Sequence, residues 1–198
     1  ANHRDSPMRS DVRLYCHAHR FAPVGFLLVV AGLLVIAAGS TIVSVPWLSG
    51  SQTINVATLC ALAWPVACTL IFRNELSRLE AFGARAWAWA DAGVLCILWA
   101  LPWLLAVSGL ASARFAYVAT VLAGLAVTLG QFLRVDTLAL ALVACVVAQT
   151  ALWPALDTSA LRHALFILDE PPRWFMVAVS APMLGASCVS VNRFKKAA

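Results

Sequence analysis

Cys16-His17-Ala18-His19 brings a thiol and two imidazoles within four positions, the kind of crowding that a zinc or copper ion needs. On a helix, however, residues two apart do not share a face, and no further ligands accompany the cluster. No metal is expected there. The other cysteines, Cys60, Cys68, Cys96, Cys145 and Cys188, lie in apolar runs, which predicts free thiols and no disulfide. Three polar side chains inside apolar runs are the remaining chemical candidates. Asp91 sits about one turn inside its run, at a depth from which it reaches the headgroup level or an arginine such as Arg85. An acid deeper in the lipid would be costly and would serve a proton or cation. Gln131 continues a polar row with Thr120 and Thr128, and Gln149 stands beside Thr150. These groups line a pathway or bond across helices, the commoner use.

Reaction motifs are missing. There is no Cys-x-x-Cys, His-Glu-x-x-His or Gly-x-Ser-x-Gly, and no repeated aspartate motif that would hold magnesium for intramembrane transfer chemistry. Without a Gly-x-x-x-x-Gly-Lys-Ser/Thr loop the chain cannot hydrolyse ATP by the P-loop route. An enzyme is therefore not expected, and no cofactor is expected in this chain. An intramembrane enzyme would require Asp91, Gln131 and Gln149 to converge.

The elements that hold these residues follow from composition. Of 198 residues 62% are hydrophobic and 12% charged, with a mean hydropathy of +0.86, which excludes a soluble domain and predicts an integral membrane protein. The net charge of +5 is no nucleic-acid footprint, because the basic residues cluster at the ends of apolar runs. The spacing predicts an all-α, polytopic chain with six membrane helices at about 23–45, 54–72, 87–107, 115–133, 137–153 and 174–191. A cytoplasmic segment at 1–22, with an interfacial helix, precedes them, and a basic cytoplasmic tail at 192–198 follows.

Within this frame several details carry weight. Gly25, Gly32 and Gly39 recur at seven-residue steps and form one stripe without side chains, a candidate packing seam. Pro65 predicts a bend in the second span. Leu161, Leu165 and Leu168 give one apolar side to a short outer helix between spans five and six. The polar break Phe72 to Asp91 is the charge-dense internal segment, and it contains a short amphipathic helix. Leu76, Leu79 and Phe82 share one side of that helix, while Glu75, Arg78 and Glu80 face elsewhere. With both termini inside, eleven of the fourteen Lys and Arg fall on the inner side, leaving Arg114, Arg162 and Arg173 outside; an odd number of spans would break this asymmetry.

This layout resembles the ABC-2 type permease, the membrane half of an ATP-binding cassette exporter. Locally, the run from Asn74 to Trp89, Asn-Glu-Leu-Ser-Arg-Leu-Glu-Ala-Phe-Gly-Ala-Arg-Ala-Trp-Ala-Trp, is similar to the inner loop of small actinobacterial members. The opening from Val12 to Phe21, Val-Arg-Leu-Tyr-Cys-His-Ala-His-Arg-Phe, resembles theirs as well. Gly83 and Ala84 stand where a proline-containing bend is expected. The resemblance implies a multi-pass protein of the bacterial plasma membrane that pairs with a second permease chain, the same or a sister. It implies that Asn74, Glu75, Leu76, Arg78, Leu79, Glu80 and Phe82 dock in a groove of a separate ATPase, which would carry ATP and magnesium. It also implies that spans one and five lie near the dimer seam and that the helix at 159–168 forms the outer gate. A membrane immunity or scaffolding protein that binds a partner through the same inner helix is the other reading.

Overall fold

The first apolar run stops being helical at Gly39, well short of Val45. In the computed structural model, which describes residues 20–44, 53–72, 87–130, 132–156 and 172–197, helix α1 covers Phe21–Ala38 and closes with the Gly39 N–H on the Val35 carbonyl at 2.9 Å. The chain then extends as strand β1, Ile42–Ser44, which pairs antiparallel with β2, Thr53–Asn55. The register sets Ile42 opposite Asn55, Val43 opposite Ile54 and Ser44 opposite Thr53. Thr41, Ile42 and Val43 are β-branched, lose rotamer freedom in a helix and fit a pleated ribbon. The expected span at 23–45 is thus corrected to a helix of 18 residues followed by a hairpin strand.

Helix α2, Val56–Cys60, and helix α3, Ala63–Phe72, divide the second apolar run at Ala61–Leu62. The cause is Pro65. Its missing N–H is tolerated in the first turn of a helix and not in the middle, so a new helix starts just before it. The Ala61 carbonyl instead accepts the Trp64 N–H at 3.2 Å.

Helix α4, Trp87–Val107, has the predicted bounds and contains Pro102. Its exit is a Schellman motif: Gly109 takes φ 76°, its N–H reaches the Ala106 carbonyl at 3.2 Å, and the Leu110 N–H reaches Leu105 at 3.0 Å. A residue with a Cβ would be strained at that φ. Three residues on, the Ser112 hydroxyl accepts the Phe115 N–H at 3.1 Å and opens helix α5, Ala113–Leu129, two residues ahead of the expected start.

Helix α5 is the axis of the bundle. Nearly every side chain from Phe115 to Val127 is buried, and the helix packs against α3, α4 and α7, more lightly against α2 and α6. Helix α6, Val135–Leu156, and helix α7, Arg173–Ala197, both overrun their expected bounds. The tail expected at 192–198 continues α7 as helix through Ala197, because Lys and Arg are good helix formers once a helix is under way.

Around this axis the outer faces are apolar. Phe26 on α1 is 74% exposed, Leu104 on α4 64% and Leu140 on α6 69%. By length and composition Phe21–Ala38 is the helix that qualifies to cross a membrane among the described residues; Val56–Phe72, Asp91–Val107, Ala113–Leu129, Asp136–Gln149 and Trp174–Val189 are shorter apolar stretches.

Candidate functional site

Trp64 is the side chain on which three helices meet. It is fully buried, its ring meets Phe115 of α5 edge to face at 5.3 Å and 87°, and its indole N–H donates to the Leu98 carbonyl of α4 at 3.0 Å. Leu98 is four residues before Pro102, so its carbonyl is the one that the proline leaves without a backbone donor. The tryptophan of α3 repairs a helix bond that α4 cannot make for itself. Sequence reasoning singled out Pro65 and passed over Pro102. The signal was available in the proline, but the identity of the donor depends on which helix packs there.

Asp91 lies in the second turn of α4 and is 1% exposed, so its carboxyl is enclosed by the chain itself. It is not without a partner. Gln149 is also buried, at 6%, on α6, where its amide donates to the Cys145 Sγ at 3.4 Å. The two do not share a packed pair of helices: α4 and α6 each pack on α5. Gln131 lies outside the described residues.

The polar row of α5 turns inward on its own helix. Thr120 donates to the Ala116 and Tyr117 carbonyls at 2.8 and 3.0 Å, and Thr128 donates to Gly124 at 2.8 Å. On α7, Ser187 donates to Met183 at 2.8 Å. Hydroxyls spent on a carbonyl three or four residues back offer little to a passing solute. No three His, Cys, Asp or Glu side chains gather as ligands for a metal among the described residues.

The glycine stripe divides. A Cβ added at Gly39 would stand 3.5 Å from the Ala57 methyl, whereas one added at Gly25 or Gly32 would meet nothing within 4 Å. Inside the chain α1 packs through Val24, Ala31 and Val35, one helical step around from those glycines. Close approach within the chain is instead made at Gly124, where an added Cβ would stand 3.1 Å from the Met183 Cβ of α7. Neither this contact nor the seam through Val24 was read from the sequence. The docking residues Asn74, Glu75, Leu76, Arg78, Leu79, Glu80 and Phe82, the outer-helix residues Leu161, Leu165 and Leu168, and Cys16-His17-Ala18-His19 lie outside the described residues.

No protein-family model, curated protein or solved structure matches this chain.

Proposed function

We propose that the chain is a six-span membrane subunit of an ABC-2 type exporter, which forms the translocation pathway as a dimer and takes its motion from a separate ATPase. The observation that carries the reading is where apolar and charged groups sit. The charged side chains described are Arg20, Asp91, Arg114, Arg134 and Asp136; four of them stand at helix ends, while the flanks of α1, α4 and α6 present large apolar residues outward. Hydrocarbon is the solvent in which such flanks are stable. Two helices, α1 and α6, correspond to the first and fifth spans and carry much open apolar surface, as subunits meeting along those spans would require. ATP and magnesium belong to the partner in this scheme.

The test is copurification from the native membrane with an ATPase in equal number, whose turnover depends on this chain. Joint charge reversal at Glu75, Arg78 and Glu80 abolishes the complex and leaves the spans folded. A complex that survives that change refutes the docking assignment. A stable partner without nucleotide turnover refutes the exporter and favours the immunity or scaffolding protein.

A further inference from the structure

Trp99 and Trp103 stand four positions apart on one side of α4, with ring centroids 6.2 Å apart and planes inclined at 39°. Each ring is partly open to the outside, yet each indole N–H is enclosed and meets no acceptor among the described residues. Enclosed donors in folded chains are nearly always bonded, because a bare one forfeits the bonds it made to water. Two such donors one turn apart call for a shared acceptor. The nearby backbone does not spare one: the Leu98 carbonyl, which Pro102 leaves without its usual donor, is taken by the Trp64 indole at 3.0 Å. Positive charge lies on the same hairpin, since Arg114 is in the first turn of α5 and the Ala111 N–H, bonded to the Leu105 carbonyl at 3.0 Å, folds the approach to that helix back onto α4. Arg114 has a partner of its own, so what it brings is charge and not a spare donor. The Ser108 hydroxyl at the turn is spent on the Leu105 carbonyl at 3.0 Å. The Asp91 carboxyl starts eight residues before Trp99, about 12 Å along the axis at 1.5 Å per residue.

We propose that the two indole N–H groups hold a small monatomic anion, a halide such as chloride, within the positive potential of Arg114. An indole N–H donates and does not accept, so a guest shared by two of them is selected as a pure acceptor. A cation finds nothing to bind there. A water molecule accepts both bonds but brings two O–H groups that need acceptors of their own, whereas a halide brings none. Size points the same way, because both N–H groups are enclosed and a phosphate or a lipid carboxylate would need the helices to part. Taking an anion out of water is costly unless a positive charge accompanies it, and in a poorly polarisable interior the arginine acts without touching the ion. Bound there, the ion would tie the two turns of α4 on either side of Pro102 through their side chains. The site stands independently of the exporter reading.

The experiment uses the full chain in mixed micelles, labelled with ¹⁵N-tryptophan, in sodium gluconate exchanged stepwise for sodium chloride at constant ionic strength. The expected result is that two of the eight indole N–H resonances, assigned to residues 99 and 103 by Trp99→Phe and Trp103→Phe, shift together and saturate with chloride, and that the unfolding midpoint rises over the same range. Bromide should reproduce both effects and sulfate neither. Arg114→Gln should move saturation to higher chloride. Indole resonances that ignore chloride in the native chain overturn the site, and that reading does not depend on any variant folding. A saturating response confined to other tryptophans, or an equal response to sulfate, also overturns it. Unchanged saturation in Arg114→Gln refutes the part given to the arginine. No ATPase enters the measurement, so a silent titration leaves the exporter reading standing, and a lost ATPase complex leaves the anion site standing.

Discussion

Replacing Trp64 with Phe removes one hydrogen bond whose acceptor has no second backbone donor. In the native chain the Leu98 carbonyl is bonded by the Trp64 indole at 3.0 Å because Pro102 lacks an N–H. Leaving a buried carbonyl bare costs about 1–3 kcal/mol, although hydrogen bonds between membrane helices have averaged about 0.6 kcal/mol with a maximum near 1.7. The lower values reflect groups that find other partners, and this carbonyl has been deprived of its usual one. About 1–1.7 kcal/mol is therefore assigned to the bond. The smaller ring adds a packing loss through its contact with Phe115. The two terms separate in a double-mutant cycle with Pro102→Ala, which restores an N–H four residues beyond Leu98. In that background Trp64→Phe loses packing only, and the cycle returns a coupling of about 1–1.7 kcal/mol. The assay is reversible unfolding in mixed micelles, followed by helical circular dichroism. A coupling below about 0.3 kcal/mol, within the error of additivity, would refute the repair of α4 by α3.

Gly124→Ala puts a methyl group 3.1 Å from the Met183 Cβ and should cost about 1–3 kcal/mol by overpacking, read as a lower midpoint in the same assay. Gly32→Ala meets nothing within the chain and leaves that midpoint unchanged or slightly raised; Gly32→Leu, by contrast, should lower the dimer fraction in crosslinking if α1 joins two chains. At Asp91, buried and partnered, Leu should destabilise by about 1–3 kcal/mol and Asn by clearly less, since Asn keeps hydrogen-bonding atoms. Equal losses for the two variants would mean that charge, not hydrogen bonding, holds the residue.

The helices were legible where length and local chemistry coincide. The C-terminal end of α4 announces itself in Ser108-Gly109, whereas Pro65, expected to bend one continuous helix, instead marks the restart of α3 after a break. The end of α1 was not legible from hydropathy, because Ile42 and Val43 are as apolar as the helix before them, and hydropathy reports the preference for hydrocarbon without reporting backbone shape. Nor was the central position of α5. A helix enclosed by protein and a helix facing lipid are both apolar all round, so neither its pattern nor its composition distinguishes the axis from the periphery. The off-by-one seam has the same origin: Gly25 and Gly32 mark where backbones can approach, whereas the chain packs α1 through Val24 and Ala31. Pairings such as Trp64 with Leu98 and Gly124 with Met183 are properties of neighbours distant in the chain, and a single sequence does not carry them.

Enclosing α5 also orders its biogenesis. When the ribosome has delivered α5, the helices α3 and α4 are already available as two of its walls, but α7 has not yet been made. Until Arg173 and the residues after it emerge, the groove beside Gly124 has no α7 to cover it. A product halted before that point holds every group of the axis and still cannot seal it.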